Sequence, residues 1–441
     1  MPTLRDRLQD DPFQGYAYAY PHKTAYRHFA RPHPLKELWA GEDKNALFLY
    51  LHLPFCEMRC GFCNLFTTTN PREGQVARYL DALERQIEVV NRALGDHRHA
   101  RGAIGGGTPT FLTSAEMDRV FRMLRQDGGL PKGIPLSCEL SPGTAEPDKI
   151  AQLREEGVTR ASIGVQSFIE SETRTLGRPQ KPAVLHGALQ RLAAAGFPVL
   201  NIDLIYGIEG QTVACWLQSL AAAMDYAPQE LFLYPLYVRP LTGLGRKGRD
   251  PSDLRLEQFR AGRDFLLARG YRQISLRLFR RDDCPAEGDE SGASYCCQED
   301  GMIGLGAGAR SYTRRVHYCT EYAVGRVGIQ AILDDYIARP ADHHASAWYG
   351  HELSPAEQKR RYLIKSLLRA DGLDEAAYQA WSGRSWSADF PEATELLESG
   401  LAVLDHGKLR LTAEGMERAD TIGPWLYSEP VAALMEDYEL A

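Results

Sequence analysis

Short apolar runs alternate with amphipathic stretches between residues 46 and 240, and the alternation predicts strand followed by helix, repeated along the chain. Residues 46–53 read as the first strand. Ala77, Leu80, Leu83, Ile87 and Val90 then recur at helical spacing across residues 76–94. Ala103 and Ile104 predict a short second strand running into Gly105-Gly106-Gly107-Thr108-Pro109, and Thr113 with Glu116 carries the capping-box signal of a helix start. Four more strands are expected over residues 136–140, 160–165, 199–205 and 231–236. This is the βα pattern of an α/β fold built on a parallel sheet.

Beyond Pro240 the pattern changes. A Gly- and Arg-rich connector over residues 241–250 precedes a helical stretch, 254–269, and an expected strand, 274–281. The charged residues 280–291 read as a solvated loop. Residues 357–368 predict a helix, and two apolar runs around Asp405-His406-Gly407-Lys408 predict a hairpin within residues 401–411. Upstream of the first strand, Tyr16, Tyr18 and Tyr20 alternate as in a strand or packing rim, and His22 and Lys23 follow them. For the tail from Gly423 onward only a packed aromatic clamp is expected.

Composition narrows the function classes. A chain of 441 residues exceeds one typical domain, so a large domain with a smaller one is expected. A net charge of -7 gives no general attraction to nucleic acid or anionic lipid. No apolar run reaches bilayer length, and Arg5, Asp6, Arg7, Asp10 and Asp11 are foreign to a signal peptide, so the expectation is a cytoplasmic protein with no nucleic-acid or membrane partner. Nine cysteines in a reducing compartment read as thiols or ligands rather than disulfides. Cys296 and Cys297, being adjacent, are expected as unpaired thiols.

Three of those cysteines carry the strongest signal. In Tyr50-Leu-His-Leu-Pro-Phe-Cys56-Glu-Met-Arg-Cys60-Gly-Phe62-Cys63 they stand in C-x3-C-x2-C spacing at the end of an apolar run. Thiols so placed can converge on one metal centre, and iron–sulfur clusters are normally held by cysteine thiolates. Three ligands on a four-iron cube leave one iron open, as a reactive site requires. A zinc site would want a fourth ligand nearby, and Asn64-Leu65-Phe66-Thr67 supplies none. Separately, Glu139, Gln166 and Asp203 are polar groups in apolar strands, which is costly without a partner. All three fall near the carboxyl ends of consecutive expected strands, where barrel enzymes put their ligand-binding groups.

The cysteine motif, with the wording Y-L-H-L-P-F-C, resembles the radical S-adenosylmethionine (SAM) enzymes, in the branch typified by oxygen-independent coproporphyrinogen III oxidase. The resemblance implies a [4Fe-4S] cluster on Cys56, Cys60 and Cys63 whose open iron chelates SAM, an external one-electron donor of flavodoxin or ferredoxin type, and a 5′-deoxyadenosyl radical that takes hydrogen from a small-molecule substrate. It implies a partial (β/α)6-type TIM barrel with an N-terminal arm (1–45), the barrel (46–240), a post-barrel extension (241–345) and a C-terminal helical and winged lid (346–441). By motif match, Gly106, Gly107 and Thr108 cradle the methionyl amino group, and Tyr50, Phe62, Glu139, Gln166, Arg178, Asp203 and Ile205 fall on SAM-contacting positions. Tyr237 and Gln298 become candidates for a second SAM or the substrate, and the number of SAM molecules is one or two. His22 and Lys23 lie in a segment like the family's arm near the active-site mouth.

Two departures bear on the reaction. Coproporphyrinogen oxidases extend the motif by a fourth cysteine, where this chain has Leu65, and the haem-chaperone relatives carry H-N-x-x-Y-W, which His317-Tyr318-Cys319-Thr320-Glu321-Tyr322 does not reproduce. The favoured expectation is therefore an oxidoreductase or methyltransferase on another organic substrate, with C-methylation or cyclopropanation in view. Coproporphyrinogen decarboxylation and haem binding or trafficking are the alternatives.

Overall fold

A 13-stranded sheet organises the chain in the computed structural model, which describes residues 3–284 and 301–438 apart from residues 11, 16 and 18. Its strands in chain order are β1 (Arg27–Pro34), β2 (Leu47–Leu53), β3 (His99–Gly106), β4 (Leu136–Leu140), β5 (Arg160–Gln166), β6 (Val199–Tyr206), β7 (Glu230–Pro235), β8 (Tyr271–Gln273), β9 (Leu278–Arg281), β10 (Met302–Leu305), β11 (Arg310–Tyr312), β12 (Val316–Cys319) and β13 (Ser346–Glu352). Across the sheet they run β1-β13-β12-β11-β10-β2-β3-β4-β5-β6-β7-β9-β8. Strands β2 to β7 are parallel and in sequence order, the six βα units expected. The barrel is partial because both flanks are occupied: β10 continues it in parallel beside β2, and β9 pairs antiparallel with β7.

Helices after each strand cover the outer face. Gln75–Leu94 buries Leu80, Leu83, Ile87 and Val90 along one stripe, and Ser114–Arg122 starts with the reciprocal Thr113–Glu116 capping box. The C-terminal module sets helix Pro355–Leu367 against a small three-stranded sheet that contains the expected hairpin, Ala402–Asp405 with Lys408–Leu411. Leu4, Ala17, Tyr20 and Ala25 from the arm are buried in that module's core, beside Leu363, Leu367 and Ile422. Tyr427 packs its ring 5.0 Å from that of Tyr20, which gives the aromatic clamp of the tail a partner.

Three expectations change. Strand β3 is eight residues long rather than two, because its polar start, from His99 to Arg101, pairs with β2, and β4 joins from Gly102 onward. The single strand over 274–281 is the hairpin β8–β9 with a tight turn between, and Arg280 is a buried ion-pair partner, not part of a solvated loop. The tyrosine alternation makes no strand where it is described: Tyr20 is buried and the strand begins at Arg27, while Tyr16 and Tyr18 lie outside the described residues.

The amino-terminal end of the barrel is closed by charge. Glu230, with no exposed surface, accepts from Arg160 Nε at 2.7 Å and from Arg280 Nη2 at 2.6 Å, and Arg160 also donates to Ser137 Oγ at 3.1 Å. Burial alone would raise the Glu230 carboxyl, but the two guanidiniums outweigh it and hold the group below its ordinary value. Glu230→Ala strands two buried cations, and a loss of about 3–5 kcal/mol is expected in denaturant unfolding; a variant within about 1 kcal/mol of the parent would show that the network is not structural.

Candidate functional site

The opposite end of the barrel gathers the sequence candidates. After β2 the chain enters the cysteine loop, and after β3 it turns through Gly106, Gly107 and Thr108 against that loop. Gly107 N–H donates to Leu53 O at 2.8 Å and Thr108 N–H to Phe55 O at 2.8 Å. Glycine at 107 is a steric necessity, since a Cβ there would stand 2.5 Å from Phe55 O and 2.9 Å from Cys56 Sγ. The Thr108 hydroxyl points at Cys56 Sγ, 3.7 Å away.

All three motif cysteines are free thiols, and burial pushes the Cys56 and Cys63 thiols up, each further raised by neighbouring motif cysteines. Among the described residues no three His, Cys, Asp or Glu side chains sit closely enough to hold a single metal ion. A polynuclear cluster makes a different demand, because each cysteine takes its own iron and the sulfurs stand apart around it. Soft donors, closely spaced in one loop and bounded by a side-chain-free glycine, fit such a group.

Polar side chains from β4, β5 and β6 line the cavity beside the loop. Glu139 accepts from Gly106 N–H at 3.2 Å; it is deep in the barrel yet keeps open surface, as a side chain facing a cavity does. Burial, with the nearby Asp203 charge, raises its carboxyl to about 7. Asp203 is raised to about 6 by burial, and it accepts from Asn201 Nδ2 at 2.7 Å, which in turn donates to Ser162 Oγ at 2.8 Å. Gln166 ends β5 with φ of 70°, a left-handed conformation costly for a residue with a side chain, at a register shift against β6.

The other candidates have partners within the chain. Arg178, expected on a SAM-contacting position, donates to Gly164 O at 2.8 Å and to Cys60 Sγ at 3.2 Å, so it ties the β5 end to the cysteine loop. Phe62 and Ile205 meet in one apolar cluster with Leu176 and Leu244. Tyr50 packs beside Ala103 and Tyr312, with its hydroxyl 3.3 Å from His52 Nδ1. The Tyr237 hydroxyl accepts from Arg277 Nη2 at 2.9 Å, and the same guanidinium spans both Asp420 oxygens at 2.7–2.8 Å. Gln298, with Tyr295, Cys296 and Cys297, lies outside the described residues.

His22 and Lys23 lie near Arg239 and Arg310. Lys23 Nζ lies 3.5 Å over the Tyr322 ring, and burial, then the Arg310 charge, lowers its ammonium to about 7. Burial, with Lys23, Arg310 and Arg239 nearby, holds His22 neutral. Several site residues were missed in the sequence. Glu57 accepts from Ser141 Oγ at 2.9 Å and pins the loop to the end of β4; Tyr322 donates to Asn64 O at 2.6 Å from the other side. His52, two residues from Tyr50 in the same strand, was readable from that period-two spacing.

The radical SAM superfamily model matches residues 50–223, and the HemN C-terminal domain model matches residues 353–417. The chain is 29% identical over 428 residues to the oxygen-independent coproporphyrinogen III oxidase of Escherichia coli, covering 91% of each. It is 28% identical over 383 residues to the heme chaperone HemW of Bacillus subtilis, covering 83% of this chain and 95% of that protein. The solved coproporphyrinogen III oxidase (HemN) from Escherichia coli superposes with a TM-score of 0.78 at 25% identity, covering 93% of this chain and 96% of the other.

The raised carboxyls set a pH dependence of known sign. The unfolded chain releases the Glu139 proton near the ordinary 4.5 while the folded chain keeps it to about 7, so this group makes stability fall as pH rises through that window. Asp203→Asn removes the neighbouring charge, and the fall between pH 4.5 and 7 is expected to shrink. Denaturant midpoints of parent and variant across that range check it, and parallel curves would refute the pairing.

Proposed function

Because the chain belongs to the radical SAM superfamily, in the branch of oxygen-independent coproporphyrinogen III oxidase, and so uses a [4Fe-4S] cluster with S-adenosyl-L-methionine, we propose that it takes hydrogen from a carboxylate-bearing organic substrate admitted at the Lys23 mouth. The carrying observation is the docking of the cysteine loop onto the Gly106–Thr108 turn, beside two carboxyls at the carboxyl ends of parallel strands.

In this reading Cys56, Cys60 and Cys63 hold the cluster, and Gly106, Gly107, Thr108, Glu139, Gln166 and Asp203 hold SAM. Bound together and supplied with one electron from an external donor, the two groups would provide the radical chemistry that takes hydrogen from a substrate. The chain's own contribution is placement. Asn201 orients Asp203, and Glu139 is held by Gly106 N–H, so both acceptors are positioned before a ligand arrives. Arg178 steadies Cys60, and Glu57 with Tyr322 keeps the loop from both sides. Lys23, Arg239 and Arg310 give the mouth a positive potential suited to carboxylates.

Anaerobic reconstitution with SAM and dithionite tests this directly. The expected product is 5′-deoxyadenosine, with substrate-dependent turnover in a screen of carboxylate-bearing compounds that includes coproporphyrinogen III. Cys56→Ser, Cys60→Ser and Cys63→Ser should each lose the iron-dependent absorbance and the product together. S-adenosylhomocysteine would transfer the assignment to methyl transfer, and stoichiometric haem binding with no 5′-deoxyadenosine would make the chain a haem-trafficking protein.

A further inference from the structure

Strands β11 and β12 extend the sheet beyond β2 and β10, and they add polar and reactive side chains to the face that carries Tyr50. Tyr312 packs with Tyr50 and Phe48, which fixes its face. Cross-strand pairing sets His317 opposite Tyr312 and Cys319 opposite Arg310, and the period of two puts all four on that face. The His317 and Tyr312 rings meet edge to face at 4.6 Å. The N-terminal arm lies over this patch. Tyr26 is close to Arg310 and Cys319, and Lys23 is close to Arg310, Cys319 and Cys63, so the lysine stands within reach of both the patch and the cysteine loop.

Two features of the patch are costly for a site that nothing occupies. Tyr26 and His317 have no exposed surface, yet neither the Tyr26 hydroxyl nor either His317 ring nitrogen has a hydrogen-bond partner in the chain. Lys23 is half-buried with Nζ 3.5 Å over the Tyr322 ring, and it forms no ion pair among the described residues. Glu321, the residue before Tyr322, turns instead to Arg339 and His28. A lysine amine without a carboxylate and beside a guanidinium is poorly placed to remain an ammonium, in keeping with its lowering to about 7.

We propose that Lys23 condenses with the carbonyl of a 2-oxo acid whose carboxylate Arg310 receives. The inference rests on the reading above and narrows its carboxylate-bearing substrate to an acid with a carbonyl next to the carboxylate. A guanidinium fork and an amine side by side match those two groups: the fork takes the carboxylate and the amine attacks the adjacent carbon. In the step a C=N bond forms between Nζ and the carbonyl carbon, both amine hydrogens leave with the carbonyl oxygen as water, and no electrons change hands. The partnerless Tyr26 hydroxyl gives the departing oxygen a proton donor beside Arg310. The C=N group then shares an unpaired electron on the neighbouring carbon, so the imine eases removal of hydrogen from that carbon.

Trapping with pyruvate and cyanoborohydride at neutral pH tests this on the whole chain, with peptide mass spectrometry to locate the adduct. Lys23 should carry at least tenfold more carboxyethyl adduct than Lys36, an exposed lysine of the same arm. Lys23→Arg should leave only the incorporation of the surface lysines. Arg310→Lys keeps the charge but loses the fork. It should cut pyruvate labelling of Lys23 about fivefold and leave labelling by propanal, which has no carboxylate, unchanged. Equal labelling of Lys23 and Lys36 would overturn the proposal. So would pyruvate that shields Lys23 from acetylation yet leaves no adduct, because capture would then be ionic alone. These readouts need neither cluster nor SAM. A parent that forms 5′-deoxyadenosine but shows no Lys23 adduct loses the imine only, whereas one that shows the adduct but forms no 5′-deoxyadenosine with dithionite loses hydrogen abstraction and keeps the imine.

Discussion

The site depends on backbone approaching backbone at distances that only glycine permits. Gly107 lets the turn after β3 close on Phe55 and Cys56, and Gly61, Gly177 and Gly243 let the loop be gripped from its other face. These contacts are made by N–H and C=O groups whose positions follow from the sheet register. They therefore convey the precision of β2, β3, β5 and β7 directly to a loop that has little regular structure of its own. Arg178, Glu57 and Tyr322 brace the same loop through side chains, while the peptide groups hold it without any cost in rotamer freedom.

Electrostatics divides the barrel along its axis. At the amino-terminal end Glu230 is satisfied by Arg160 and Arg280, one carboxylate bridging two guanidiniums in the floor of the barrel. At the carboxyl end Glu139 and Asp203 have hydrogen-bond donors but no such cationic pair on hand, and burial lifts both carboxyls. The difference fits a structural role for the first set and the SAM-binding role we propose for the second: a permanent buried charge needs permanent partners, whereas a binding group keeps acceptor capacity in reserve.

The parallel strands were legible from the short apolar runs within them, and β4 was placed to the residue. The cysteine loop and glycine turn were legible because their chemistry lies in consecutive residues. Legibility failed where a role is set by a partner distant in sequence. The Arg178 hydrogen bonds to Gly164 and Cys60 could not be read in advance, because they exist only once β5 and the loop are side by side. Arg280 looked solvated, and Glu230, fifty residues earlier, draws it inside. The polar start of β3 carried no strand signal, since pairing with β2 rather than propensity makes it a strand.

The arm and the C-terminal module bear on the mouth through the same logic of distant partners. Tyr20 and Ala25 are anchored in the module's core, and Arg27 donates to Leu434 O at 2.6 Å, so His22 and Lys23 are carried on a short segment held on both sides by the carboxyl-terminal part of the chain. Tyr322, which receives Lys23 on its ring, also binds Asn64 of the cysteine loop and stacks on Tyr438. One aromatic ring thus links arm, loop and tail. A displacement of the module would move the Lys23 ammonium relative to the cysteines, so the mouth and the reactive end of the barrel form one mechanical unit rather than a rigid site with a detachable cover.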